Sequence, residues 1–226
     1  MIVVHHLNNS RSQRILWLLE ELGVDYRVEH YQRDPQTMLA PPSLRKLHPL
    51  GKSPVISDGD LVLAESGAIV EYLADRYGED RLIPPPGTAQ RVQCNYWLHY
   101  AEGSAMPPLL LKLVFSRIHQ SPGPLLVRPV IRGMVRKVRK AFIDPQLKLH
   151  LDYLESHLAE QPWFCGESFS VADIQMSFPL EAARARAGLD DSRPRLMNFL
   201  ARIHAREAYQ RALERGGEYV LASRAP

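Results

Sequence analysis

Residues 54–66 read Pro54-Val55-Ile56-Ser57-Asp58-Gly59-Asp60-Leu61-Val62-Leu63-Ala64-Glu65-Ser66, and this stretch decides the fold. Two short apolar runs flank Asp58-Gly59, a dipeptide that favours the tight turn of a β-hairpin. Glu65-Ser66 then opens a helix carrying Ile69, Val70, Tyr72 and Leu73. Upstream lies an irregular segment holding Pro35, Pro41, Pro42 and Pro49, and before it a second alternating run, Tyr26 to Tyr31. The chain begins with an apolar, β-branched strand, Ile2 to Leu7, broken by Asn8-Asn9-Ser10. The helix that follows has Ile15, Leu18, Leu19 and Leu22 at helical spacing, with Gly23 as its stop. Ser10 and Gln13 have the form of a capping box at its start. The predicted order is β-α-β-α-β-β-α, with the first βαβ unit parallel and right-handed.

Pro84-Pro85-Pro86-Gly87 ends this pattern and reads as a linker. Beyond it the signals are helical. Thr88 to Leu111 forms one helix that Pro107-Pro108 should bend or interrupt, and Leu126 to Phe142 forms a basic one. Pro145 to Leu158 carries a core stripe of Leu147, Leu151, Leu154 and Leu158. Ser170-Val171-Ala172-Asp173 caps the next helix, and Pro194 to His204 and Glu207 to Arg215 complete the bundle. The expected fold class is α/β plus all-α: a thioredoxin-like domain over 1–82, a linker over 83–88 and an all-helical domain over 89–226.

Composition excludes several classes. Hydrophobic residues make up 45% and charged residues 23%, which suits a globular protein with a core rather than a disordered one. No apolar run reaches the roughly 18 residues of a membrane span, and the N-terminus lacks the basic-then-apolar pattern of a secretory signal. Two cysteines, Cys94 and Cys165, are too few for a disulfide framework and fit a reducing compartment, so a soluble cytoplasmic protein is expected. The net charge is +3, yet no acid stands between Glu102 and Asp144 while eight basic residues do. Arg128, Arg132 and Arg136 recur every four residues, as on one solvated helix face. No aromatics interleave them, so neither nucleic acid nor membrane is an expected partner. There is no metal-ligand spacing, P-loop or dinucleotide glycine fingerprint.

Thioredoxin-like redox proteins place a reactive Cys at the start of the first helix, where the helix dipole favours a thiolate. Here Asn8-Asn9-Ser10-Arg11-Ser12-Gln13 stands in that place, without sulfur. A site shaped for a thiolate but supplying none could take one from outside. The segments Ser10-Arg11-Ser12-Gln13-Arg14-Ile15-Leu16, His48-Pro49-Leu50-Gly51-Lys52-Ser53-Pro54-Val55 and Leu63-Ala64-Glu65-Ser66-Gly67-Ala68-Ile69 resemble cytosolic glutathione transferases. Phe169-Ser170-Val171-Ala172-Asp173-Ile174 is similar to the family's helical-domain capping motif. The details look most like bacterial and fungal relatives of a yeast type.

The resemblance implies a homodimer that binds glutathione as co-substrate, without a metal, and presents its thiol to a small electrophile. It assigns the γ-glutamyl end to Glu65 and Ser66, where free N–H groups at a helix start suit a carboxylate. It makes Pro54 a cis-proline that leaves the Ser53 backbone to pair with the cysteinyl unit, and it sends Lys52 to the glycyl carboxylate. Without the family match, Glu65 and Ser66 read as helix caps and Lys52 as a solvated loop lysine.

Activating a thiol of pKa ~8.5 at neutral pH needs a shift of about two units, or roughly 2.7 kcal/mol. One charge-assisted hydrogen bond supplies about 1.5–3 kcal/mol of it. Serine-type members carry their serine four residues before the arginine of the first helix, which is Ser10 counted from Arg14. Asn9 is the rival donor; Ser12, Arg11 and backbone N–H groups are further alternatives. Tyr96, Tyr100, Met106, Leu109 and Leu110 either line the electrophile cleft or belong to the core. Two other functions stay open: a glutathione-dependent disulfide or peroxide reductase, and a non-catalytic interaction module.

Overall fold

The computed structural model describes residues 1–79, 81–120 and 127–223. Four strands, β1 (Ile2–Leu7), β2 (Tyr26–Tyr31), β3 (Val55–Asp58) and β4 (Leu61–Ala64), form one sheet in the order β2-β1-β3-β4. β1 and β2 are parallel, as the βαβ reading requires, and the other two pairings are antiparallel. Asp58 pairs with Leu61, so the hairpin turn is Gly59-Asp60 rather than Asp58-Gly59. Gly59 sits at φ +59°, the left-handed conformation that a two-residue hairpin loop asks of its first central residue.

Helix α1 (Ser12–Leu22) differs from the single apolar stripe read in its sequence: Ile15, Leu16, Trp17, Leu18 and Leu19 are all buried. The reason is position. α1 packs on β1 on one side and on helices of the second half on the other, so no face is left for water. The predicted Ser10/Gln13 box does not form. Arg11 occupies the cap position; Ser10 Oγ accepts the Ser12 N–H, while the Gln13 N–H goes to the Ser10 carbonyl. A single turn, α2 (Pro42–Arg45), lies in the proline-rich segment, and α3 (Ser66–Tyr77) follows β4 directly.

The remainder is helical: α4 (Ala89–Tyr100), α5 (Met106–Gln120), α6 (Arg128–Val138), α7 (Asp144–Glu160), α8 (Val171–Arg186), α9 (Pro194–His204), α10 (Glu207–Gly216) and α11 (Val220–Ser223). The break expected at Pro107-Pro108 falls one turn earlier, as a π-helical turn over Ala101–Ala105 whose end bonds Met106 N–H to the Ala101 carbonyl. Prolines offer no N–H and crowd the carbonyl four residues back, so the chain widens before them. A second π turn, Arg139–Ile143, precedes Pro145 in the same way.

The leucine stripe of α7 is buried as read. In α6 Val135 faces inward while Arg132 and Arg136 stay exposed, as on one solvated face, and Arg128 is half-buried; Leu126 lies outside the described residues. The first thirteen residues of α8 are buried, making it the axis of the helical half. The largest interior side chains join the halves, with the Trp17 ring against Phe169 and Tyr209.

Candidate active site

Three connections converge at one end of the sheet. The loop after β1 carries Asn9 and Ser10 into α1. The segment before β3 carries Lys52, Ser53 and Pro54. The sharp junction of β4 with α3 carries Glu65 and Ser66. The Ser53–Pro54 peptide is cis, and pairing of β3 with β1 begins at Val55 with His5, so Ser53 lies just beyond the ladder. Glu65 adopts φ 72°, ψ 122°, a conformation costly for a side chain with a Cβ. That bend puts Ser66 at the first position of α3, buried, with the N–H groups of the first turn beside it.

A cavity of about 320 Å³ is lined by Lys52, Ser53, Pro54, Glu65 and Ser66, together with Arg11, His48, Leu50, Glu102 and Leu110. All five residues read as ligand-binding are therefore brought together on one wall system. Asn9 and Ser10 are not among its walls. Ser10 is buried directly behind Ser53, with 3.4 Å between the two hydroxyl oxygens, and its Oγ lies 2.8 Å from Ser12 Oγ. Asn9, at φ 52°, accepts the Val220 N–H on Oδ1 at 2.7 Å, so its amide carbonyl is committed to α11. Of the five apolar candidates, Tyr100, Met106 and Leu109 are core, Tyr96 is exposed away from this cavity, and only Leu110 lines it.

Sequence reading missed Glu102. The π turn carries it under the cavity, where its carboxylate meets Arg11 Nε at 2.9 Å and Arg14 Nη2 at 2.6 Å. Arg14 is fully buried and also donates to the Gln175 carbonyl of α8 at 2.6 Å. Burial pushes the Glu102 carboxyl upward, but the two guanidinium groups more than offset it, and its pKa falls below the usual value. An acid standing alone at the edge of a long acid-free stretch was the available signal. His48 was also missed as a wall residue; its Nδ1 is buried without a hydrogen-bond partner. His5 and His6 alternate across β1: His5 bonds Ser57 and Tyr31, whereas His6 turns under α1 to Ser12.

Residues 1–75 match the family described as Glutathione S-transferase, N-terminal domain, and residues 139–202 match its C-terminal domain. Glutathione S-transferase 3 of Schizosaccharomyces pombe is 39% identical over 184 residues, covering 81% of this chain and 75% of that protein. The chain belongs to the glutathione S-transferase family. A second such transferase, Glutathione S-transferase 1 of Saccharomyces cerevisiae, is 32% identical over 95% of both chains. Among solved structures, a glutathione S-transferase from Actinobacillus pleuropneumoniae superposes with a TM-score of 0.80 at 32% identity, covering 100% of this chain and 97% of its own. Another, from Xanthomonas axonopodis pv. citri with glutathione bound, gives a TM-score of 0.71 at 27% identity, covering 93% and 96%. The thioredoxin-like and helical halves are thus those of glutathione transferases. Among the described residues no group of three or more His, Cys, Asp or Glu side chains is placed to hold a metal ion, and no helix is long and apolar enough to cross a membrane.

Proposed function

We propose that this transferase binds glutathione in the 320 Å³ cavity and ionises its thiol for attack on an electrophilic, largely apolar substrate. The observation that carries this reading is the convergence of Lys52, Ser53, Pro54, Glu65 and Ser66, from two separate connections, on one cavity. Ser66 and the first N–H groups of α3 receive the γ-glutamyl carboxylate, and Glu65 pairs with the ammonium group. The Ser53 backbone, unpaired by the sheet, adds the cysteinyl unit like a further strand. Lys52 reaches the glycyl carboxylate. In this pose the sulfur comes to the start of α1 beside Ser10.

Ser10 is the preferred hydrogen-bond donor to the sulfur, because the bond from the Val220 N–H to the Asn9 carbonyl holds the Asn9 side chain against α11, where it ties the loop down; the Asn9 amide NH2 is the rival donor. The thiolate then attacks the electrophile; no enzyme-bound covalent intermediate forms, since both cysteines lie in the helical half. Residues 1–82 act as the glutathione-binding domain, 83–88 as linker and 89–226 as the domain that seats the electrophile, in a cytoplasmic homodimer.

The test is a titration of thiolate absorbance for glutathione bound to the parent protein, to Ser10→Ala and to Asn9→Ala. Ser10→Ala should raise the pKa of the bound thiol by about 1–2 units, as loss of one charge-assisted bond implies, and Asn9→Ala should raise it less. An unchanged pKa in Ser10→Ala removes Ser10 from the mechanism.

A further inference from the structure

Behind Ser10 a chain of hydrogen bonds runs inward to a histidine. Ser10 Oγ lies 2.8 Å from Ser12 Oγ, and Ser12 Oγ lies 2.9 Å from His6 Nδ1. All three residues are buried, His6 with 3% exposure. The Gly216 backbone of α10 also lies against the ring and acts in the sense that favours a protonated ring. With Nδ1 accepting from Ser12, the proton of the neutral ring sits on the other nitrogen, on the Gly216 side. Gly216 permits the approach: a Cβ there would stand 3.3 Å from the ring carbon between the nitrogens and closer still to Gln13.

Each link of this chain holds one hydrogen, and counting them fixes its direction. With His6 neutral, Nδ1 can only accept. Ser12 must then donate to His6, and Ser10 must donate to Ser12. The outward lone pair of Ser10 is left to accept from a thiol S–H, which favours the un-ionised thiol. For Ser10 to donate to a thiolate, both serine protons must reverse, and Nδ1 must carry a hydrogen while the Gly216 side keeps its own. That ring is an imidazolium. The competing acceptors, Ser53 Oγ for the Ser10 proton and the Leu7 carbonyl for the Ser12 proton, are longer, each at 3.4 Å.

We propose that His6 is the inner terminus of a proton relay, so that ionisation of the bound thiol and protonation of His6 are one step. The S–H bond breaks, its proton passes to Ser10, the Ser10 proton to Ser12 and the Ser12 proton to Nδ1, with no net gain or loss. His6 acts through Ser12 and Ser10 and is a positioning residue. The proposal rests on the placement of the glutathione sulfur beside Ser10 given above.

The surroundings make the sulfur the partner for that charge. The groups bearing on His6 are Ser12 from α1, the Gly216 backbone from α10 and the His30 ring from β2, 5.6 Å away. None is a carboxylate. Burial first, and then His30, lower its pKa to about 4 with the site empty, so the resting ring is neutral, and it takes a proton only against a negative charge at the outer end of the relay. An anion at the outer end of the relay opposes both effects by favouring the charged ring.

Calorimetry of glutathione and of S-methylglutathione at neutral pH, in two buffers of different ionisation enthalpy, with thiolate absorbance recorded alongside, tests this. In the parent protein the thiolate signal should appear with glutathione while proton release stays at the level of S-methylglutathione, which has no thiol proton. In His6→Gln, and in Ser12→Ala should the buried histidine variant fail to fold, each thiolate formed should release one proton to the buffer, and fewer thiolates should form. Full release from the parent protein overturns the relay alone. Glutathione binding without any thiolate overturns the relay and the underlying site reading together.

Discussion

Glu65 holds a backbone conformation at φ 72° that costs about 1–3 kcal/mol for a residue other than glycine. Its exposed side chain makes no cap hydrogen bond, so nothing local repays the strain; the junction repays it by aiming α3 at the cavity. Glu65→Gly should raise the melting temperature of the empty protein by about 2–4 °C, the equivalent of about 1 kcal/mol in a chain of this size. It should also weaken glutathione binding roughly tenfold through loss of a charged hydrogen-bond partner. Differential scanning calorimetry and titration calorimetry check the two effects, and a lowered melting temperature contradicts the strain argument. Glu65, Ser66 and Lys52, which share one cavity, were open to sequence reading because each sits in a short motif whose neighbours define its surroundings. Glu102 and His6 were not. Their partners lie on other elements, and a pairing such as Glu102 with Arg14 leaves no local pattern.

The helix starts divide in the same way. Ser170-x-x-Asp173 was read as a cap, and the Asp173 carboxylate does accept from the Ser170 N–H and O–H and from the Phe164 N–H. Ser10-x-x-Gln13 has the same form and does not cap, because α1 is enclosed by the sheet and by α8 and α10 and Ser10 is drawn to Ser12 and Ser53. Spacing sets what a cap can do; tertiary competitors decide whether it does it. Asp173 is fully buried, so Asp173→Ala leaves three donors without an acceptor and should cost about 3 kcal/mol or more. Asp173→Asn, which keeps an acceptor oxygen, should cost about half as much. Urea unfolding of the two variants measures this, and equal losses would reduce the cap to a packing effect. The shift of the α4–α5 break to Ala101–Ala105 was likewise beyond sequence reading: the prolines fix that a break occurs, while packing of the turn fixes where.

At the scale of the molecule, Glu102 joins the halves by pairing with Arg11 at the cap of α1 and with Arg14 within it. Arg14 is buried, so Glu102→Gln leaves a guanidinium in the interior without its counter-charge. Because Glu102 is about a third exposed, the loss should fall below that of a fully buried pair, at about 2–3 kcal/mol. The carboxyl titrates below its ordinary value in the fold. Its contribution is therefore present above the unfolded pKa of about 4.3 and is lost as pH falls through the lower folded value. Thermal unfolding followed from neutral to acid pH should show the parent protein losing stability faster than Glu102→Gln below that point. Parallel curves would mean the pair carries no pH-dependent stability.

The seat of α10 and α11 against the loop after β1 bears on how such a protein can be recombined. The Asn9 amide is tied to Val220 and the His6 ring rests on Gly216, so the surroundings of the first loop are built partly by the far end of the chain. An exchange of the first eighty or so residues with a relative would transplant the loop without its back wall. A chimera that keeps thiol chemistry intact must carry both ends of the chain from the same parent, with the crossovers placed between them.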